Sequence, residues 1–454
     1  MQCMIELGSE ALEITLPDHA DLFRLQPEAP LPSPAQAIRQ ALAVPVGTPS
    51  LSERVRARMR ERTDCRAVIV VSDTTRPVPY LGEAGILEPV LDVLEQEGVQ
   101  GIDILVATGT HRPLTDTELR HMLPDRVFDG QICVTNHVCT DRAALRSLGR
   151  TPRGTEVSVN ARYLDADIKI LTGLVEPHFM AGASGGPKSV CPGLVGEEAT
   201  YVFHGAELMA DPDSTSLIME GNPCQAEAMA VAEMAGVDFI VNVTLNGDRQ
   251  VTGVYAGDLR QAHRKAVDHL VAAAGISIPH EYDLVVTHAG FVGINHYQAA
   301  KAAVEASKAV RPGGAIVLVA HHTDVDPVGG PDYCRVLPLL RELGPDGFNR
   351  RIKESSWQFI PEQWEVQMWA RAMGKLGPSG HLVYCAPALT GELFVRRQIP
   401  GQDGGAGITG LGGRELAQAM VQRAVDTFLS VAGTQVAVLC DGPYGVPVLR
   451  PHVA

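Results

Sequence analysis

The stretch Ala67–Ser72, AVIVVS, runs without a break into Asp73-Thr74-Thr75-Arg76-Pro77, and this pairing of a short apolar run with a polar loop decides the fold. Six consecutive small or β-branched residues bounded by a turn read as a strand buried on both faces, as in parallel sheets. The pattern recurs at Ile102–Ala107 (IDILVA), Asp167–Leu171 (DIKIL) and Phe239–Leu245 (FIVNVTL), with longer helical patterns between. Strands that alternate with helices predict βαβ units and an α/β class. The first three runs lead straight into loops dense in Gly, Thr, Pro or His. In open parallel sheets ligands bind beyond the carboxyl ends of the strands, so these loops are where a site is expected.

The helical stretch GDLRQAHRKAVDHLVAAAG ends near Gly275, and the connection ISIPHEYD follows. We therefore expect one domain over 1–275 and a second over 276–454. The second half repeats the alternation, with strands at Asp283–Thr287, Ala315–Ala320, His381–Cys385 and Gln435–Cys440 and helices at Gln298–Val310, Pro361–Met373 and Arg414–Val431. The expected architecture is two doubly wound Rossmann-like lobes with the active site in the cleft between them.

Composition narrows the function. The 454 residues are 45% hydrophobic and 20% charged, which is ordinary globular usage. A formal charge of −15, from 53 acids against 38 bases, argues against a bulk grip on nucleic acid or an anionic membrane. No apolar run approaches the roughly 20 residues that span a bilayer, and the opening MQCMIELGSEALEITLP carries acids where a signal peptide needs bases, so a cytoplasmic protein is expected. The nine cysteines contain no CxxC pair and signal neither a disulfide framework nor a zinc knuckle.

Chemistry concentrates in the strand-end loops. Pro77 keeps Arg76 out of a helix, so a planar fork of donors suited to a carboxylate or phosphate stands on a stiff loop; a salt bridge to Asp73 is the plainer alternative. Thr108-Gly109-Thr110-His111-Arg112-Pro113 places a histidine in a loop that glycine lets approach a ligand. The longest cluster, Glu176-Pro177-His178 through Gly182-Ala183-Ser184-Gly185-Gly186-Pro187-Lys188 to Gly193, looks like a phosphate cradle. A Walker A loop needs Gly before its Lys, however, and Pro187 stands there. Lys188 can instead be a covalent anchor, because a desolvated amine loses its proton and becomes nucleophilic. His204, sixteen residues on, is either a metal ligand or a packed ring. In the second half Asn295-His296-Tyr297-Gln298-Ala299-Ala300-Lys301 opens a helix, with Gln298 and Lys301 on one face. Gly405-Ala406-Gly407-Ile408-Thr409-Gly410 satisfies GxGxxG but follows PGQDG, where no strand is expected, so no dinucleotide fingerprint is read there.

In order and spacing, DTTRP, TGTHRP, EPHFMAGASGGPKSVCPG, a histidine sixteen beyond the lysine and YQAAK together resemble the nickel-pincer lactate racemase family. The resemblance implies two α/β domains and a nickel pincer nucleotide, the pyridinium-3-thioamide-5-thiocarboxylic acid mononucleotide that binds nickel through two sulfurs and a ring carbon. It implies that Lys188 joins this cofactor through a thioamide and that His204 ligates the nickel. His111 and His178 would be general acid and base, with Lys301 also in the catalytic set. Arg76 would clasp the substrate carboxylate, Tyr297, Gln298, Lys301 and Trp364 would line the pocket, and Asp73, Thr74 and the backbone at Gly185 and Gly186 would seat the nucleotide. The implied reaction is racemisation or epimerisation of a 2-hydroxy acid by reversible hydride transfer through a ketone. The implied partners are that small molecule and the enzymes that build the cofactor. The second-half rim, with His288, His296 and SSWQFIPEQ, has no counterpart that maps onto lactate. A sugar or polyol epimerase with the same cofactor, a P-loop hydrolase and a non-catalytic storage protein are the competing readings.

Overall fold

The computed structural model describes residues 1–62, 64–378 and 381–450. The chain divides into two compact units, Pro27–Ala273 and Met1–Gln26 with Ala274–Ala454.

In the unit Pro27–Ala273, six strands form one sheet. From one edge they run Ile132–Asn136, Gly101–Ala107, Arg66–Ser72, Ile168–Leu174, Phe239–Leu245 and Val251–Gly257. Numbered along the chain this is the order 3-2-1-4-5-6 of a doubly wound dinucleotide-type sheet, and every pair is parallel except the last, which is antiparallel. Ala67, Ile69 and Val71 pack on one side of the first strand with Ile102, Ile104 and Val106 of its neighbour. Val68 and Val70, on the other side, are equally buried, which explains the unbroken apolar run in the sequence. The order reverses between Arg66–Ser72 and Ile168–Leu174, so the loops leaving these two strands diverge there.

The other unit carries a second six-stranded sheet. Its order is Gln402–Asp403, Leu382–Cys385, Val310–Val319, Tyr282–His288, Val436–Leu439 and Asp21–Phe23, parallel throughout. An antiparallel hairpin of Gln2–Leu7 and Glu10–Thr15 lays Ile5, Leu12 and Ile14 onto the core built by Val286, Val317 and Val438. The first 26 residues thus belong with the C-terminal half, which revises the expected 1–275 boundary at its N-terminal end. Asp21–Phe23 pairs with Ala437–Leu439, more than 400 residues away, and periodicity carries no trace of so distant a pairing. The antiparallel edge strand Val251–Gly257 was likewise not legible in advance.

The helix His296–Ala309 starts on Asn295, whose side chain accepts from the Gln298 N–H at 2.9 Å. Its alanines are buried on several sides, while Tyr297, Gln298 and Lys301 remain partly open. Among the described residues no helix is long and apolar enough to cross a membrane.

All three tryptophans, Trp357, Trp364 and Trp369, lie in the unit that holds the N-terminal hairpin. Leu12 is fully buried there. Leu12→Ala should therefore lower the stability of this unit by about 2–5 kcal/mol, seen as an earlier urea midpoint in tryptophan fluorescence. An unchanged midpoint would show that the hairpin is not part of this core.

Candidate active site

The site in the unit Pro27–Ala273 is built where its sheet order reverses. Asp73, the first residue past its strand, is 5% exposed. Its Oδ1 accepts from the Thr75 N–H at 3.1 Å and the Thr75 hydroxyl at 2.5 Å, and its Oδ2 lies 2.6 Å from His111 Nδ1. Burial alone would raise the Asp73 pKa, but the bond and charge of His111 with the Thr75 donors outweigh it and hold the carboxyl below its usual range. Both oxygens are thus committed within the protein, a geometry that suits a partner for His111 more than a seat for a nucleotide. Thr74 is exposed.

Arg76 does not pair with Asp73. Its Nη1 lies 2.8 Å from Glu176 Oε1, which joins the loops leaving the first and fourth strands. A third loop is tied in by main chain: Gly109, at φ +57°, donates to the Gly193 carbonyl at 3.0 Å. The imidazole of His111 is largely exposed beyond its bond to Asp73.

His178 sits on a two-residue ladder, Pro177–His178 against Gly182–Ala183. The chain curls back so that His178 Nδ1 accepts the N–H groups of Met180 at 3.3 Å and Ala181 at 3.2 Å. Gly182, at φ +81°, permits this return: a Cβ there would stand 2.3 Å from the Ile218 carbonyl oxygen.

Lys188 lies in the short 3-10 turn Gly186–Ser189. Two residues not singled out from the sequence fix that turn. Asn242 Oδ1 accepts the Gly186 N–H at 3.0 Å, and His263 Nε2 donates to the Ser184 carbonyl at 3.0 Å. The only advance signal was a polar asparagine inside the buried strand FIVNVTL. The Gly186 N–H is therefore already used within the protein. The Lys188 amine stands 4.6 Å from the centre of the Phe203 ring. Burial, and then the Arg76 guanidinium, push its pKa down to about 7. His204 caps the helix Glu197–Phe203, and its pKa is pushed well below the usual histidine value by burial and then by the charges of Lys188 and His111. At neutral pH the imidazole of His204 is uncharged.

Arg76, His111, Lys188 and His204 thus act on one another electrostatically, and Glu176 ties the backbone next to His178 into the same group. Tyr297, Gln298, Lys301 and Trp364 form a separate cluster within the other unit. The Trp364 indole donates to the Tyr297 hydroxyl at 3.1 Å, and Lys301 lies one turn along the same helix. Glu365, next to Trp364, is buried, and its pKa is raised to about 8 by burial, opposed by Lys301. His288 and His296 are not rim residues, contrary to the reading from sequence. They are 1% and 0% exposed, His288 donating to the Cys440 carbonyl at 2.8 Å and His296 lying 2.6 Å from the Tyr333 hydroxyl and stacked on Trp369. Both were legible as histidines near a strand end, but packing claims them.

Because the amine of Lys188 titrates near neutrality, its acylation by a small electrophile should rise through pH 7 and level off by pH 9. Surface lysines should keep rising toward their usual pKa of about 10.4. Peptide mass spectrometry across pH reads this, and a Lys188 profile that parallels the surface lysines would contradict the burial argument.

Comparison with known proteins agrees with this architecture. Residues 7–216 match the lactate racemase N-terminal domain. The lactate racemase of Lactiplantibacillus plantarum is 30% identical over 345 residues, 75% of this chain and 78% of that one. The lactate racemase of Thermoanaerobacterium thermosaccharolyticum is 27% identical over 340 residues, 74% of this chain and 76% of that one. The structure of the lactate racemase apoprotein from the latter organism superposes with a TM-score of 0.82 at 23% identity, covering 99% of this chain and 100% of that one, which shows a shared fold. With relatives matched at this identity over three quarters of its length, the chain belongs to the lactate racemase family.

Proposed function

We propose that this protein is a racemase or epimerase of a 2-hydroxy acid, lactate or a larger congener, that works with a nickel pincer nucleotide. The observation that carries the reading is the half-buried Lys188, its amine pKa lowered to about 7, within electrostatic reach of Arg76 and of an uncharged His204 at the reversal point of a dinucleotide-type sheet. The residues present fit the cofactor. A deprotonated amine, present in substantial fraction at physiological pH, is the form able to join a thioacid carbon, and a neutral imidazole has a lone pair for a metal. Among the described residues no group of three or more His, Cys, Asp or Glu could hold a metal ion. A nickel ion held through His204 would take its other donors from a bound organic group.

Lys188 would hold the nucleotide and His204 its metal; when bound, the group supplies a reversible hydride acceptor. The remaining work falls to side chains. Arg76 offers two N–H donors to the substrate carboxylate and orients its C2 carbon. His111, its Nδ1 held by Asp73, takes the hydroxyl proton at Nε2 as the alcohol becomes a ketone. His178 would play the same part for the opposite enantiomer. Passing through a ketone avoids a carbanion beside a carboxylate, and the planar ketone can receive hydrogen on either face. The carboxylate preference implied by Arg76 favours hydroxy acids over polyols.

The test is co-expression with the enzymes that build the cofactor, followed by intact mass and chiral assay of L- and D-lactate and larger 2-hydroxy acids. We expect a covalent increment at Lys188, absent in Lys188→Ala, and interconversion of enantiomers. No increment and no interconversion would defeat the proposal. His111→Ala and His178→Ala should each lose roughly a hundred- to ten-thousand-fold in kcat with the increment retained. Near-normal turnover in both would remove them from the mechanism.

The substrate carboxylate must displace Glu176 from Arg76. Partly exposed ion pairs are worth about 0–1 kcal/mol, so Glu176→Gln should lower KM by up to about fivefold with kcat little changed. A raised KM would mean that Glu176 assists binding instead.

A further inference from the structure

We infer that the two imidazoles offered for acid–base work are not interchangeable: Asp73 locks His111 with its proton on Nδ1, whereas the backbone of Met180 and Ala181 locks His178 with its proton on Nε2. The assignment follows from which partners can only give and which can only take. A carboxylate oxygen has no proton to donate, so the 2.6 Å contact between Asp73 Oδ2 and His111 Nδ1 requires N–H on the imidazole. Asp73 is itself buried and held by the Thr75 N–H and hydroxyl, so the carboxylate cannot turn away to release the ring. A backbone N–H, conversely, has no lone pair to offer. The contacts of Met180 N and Ala181 N with His178 Nδ1 therefore require that this nitrogen be bare, and the proton of the neutral ring sits on Nε2.

The consequence is chemical. His111 presents an Nε2 lone pair and can take a hydroxyl proton at once: the O–H bond breaks, the new bond forms at Nε2, and the positive ring faces the Asp73 carboxylate. His178 carries its proton at Nε2 and becomes a base at that nitrogen only after the proton moves to Nδ1, which displaces two backbone donors. Asp73 is thus a positioning residue that sets which imidazole acts first, and the hydroxyl of one enantiomer meets a ready base while that of the other does not. The significance for racemisation rests on the proposed function, but the tautomers themselves require neither cofactor nor turnover, so the two ideas fail separately.

The experiment is two-bond proton–nitrogen correlation spectroscopy of the full-length chain labelled with nitrogen-15 in histidine, at mildly basic pH. Signals are assigned by their loss in His111→Gln and His178→Gln. We expect Nδ1 of His111 in the protonated, pyrrole-like range with a pyridine-like Nε2, and the reverse for His178. In Asp73→Ala the His111 pattern should move to the Nε2–H form while His178 is unmoved. Thr75→Val, which leaves the carboxylate in place but removes one of its supports, should give a partial shift of His111 alone. The same tautomer at both rings of the parent chain, or a His111 pattern that survives Asp73→Ala, would overturn the inference.

Discussion

The half-buried setting of the Lys188 amine, against Phe203 and beside the Arg76 charge, is the constraint on which the site in the unit Pro27–Ala273 depends. A displacement from its ordinary pKa to about 7 corresponds to a penalty on the order of 5 kcal/mol against the charged form. The sequence around it is arranged to sustain that penalty. Gly185 and Gly186 have positive φ, and a Cβ at Gly186 would lie 2.6 Å from the His263 ring. Only a chain without side chains at these points can fold the turn tightly enough to bury the amine against Phe203. Asn242 and His263 then satisfy backbone groups that the tight turn leaves without helix or sheet partners.

The same desolvation spreads to the neighbours. His204 stays uncharged because burial disfavours its charged form, with the charges of Lys188 and then His111 acting in the same direction. Arg76 is the one cation held there by a countercharge, and its partner Glu176 leaves the next strand of the sheet. A nucleophilic amine, a metal-competent imidazole and an anion-binding guanidinium are therefore products of one electrostatic arrangement. Its position at the reversal of strand order follows from the sheet topology.

Much of this was legible in the sequence because it was local. Strands buried on both faces appear as continuous apolar runs, and the loops that follow them carry polar side chains, so Arg76, His111 and Lys188 stood out as candidates by their place at strand ends, while the roles of His111 and His178 came from the order and spacing of motifs shared with the family. What was hidden depends on chain segments brought together by folding. Asp21–Phe23 joins a strand at the far end of the chain, Asn242 and His263 reach the lysine turn from distant elements, and Glu176 finds Arg76 across a hundred residues. Asp73 was legible as a site residue, but its attachment to His111 depends on two strand ends lying side by side. His288 and His296 show the converse: chemistry-bearing residues in a suggestive place, claimed by the interior.

The main-chain bond from Gly109 to the Gly193 carbonyl has a consequence for how such a protein can change. It sutures the loop of His111 to the end of the lysine loop without involving any side chain. Exchanges of side chains in either loop can proceed while the suture preserves the separation between His111 and Lys188. Change in the side chains of the two loops and constancy of their mutual placement are thereby decoupled.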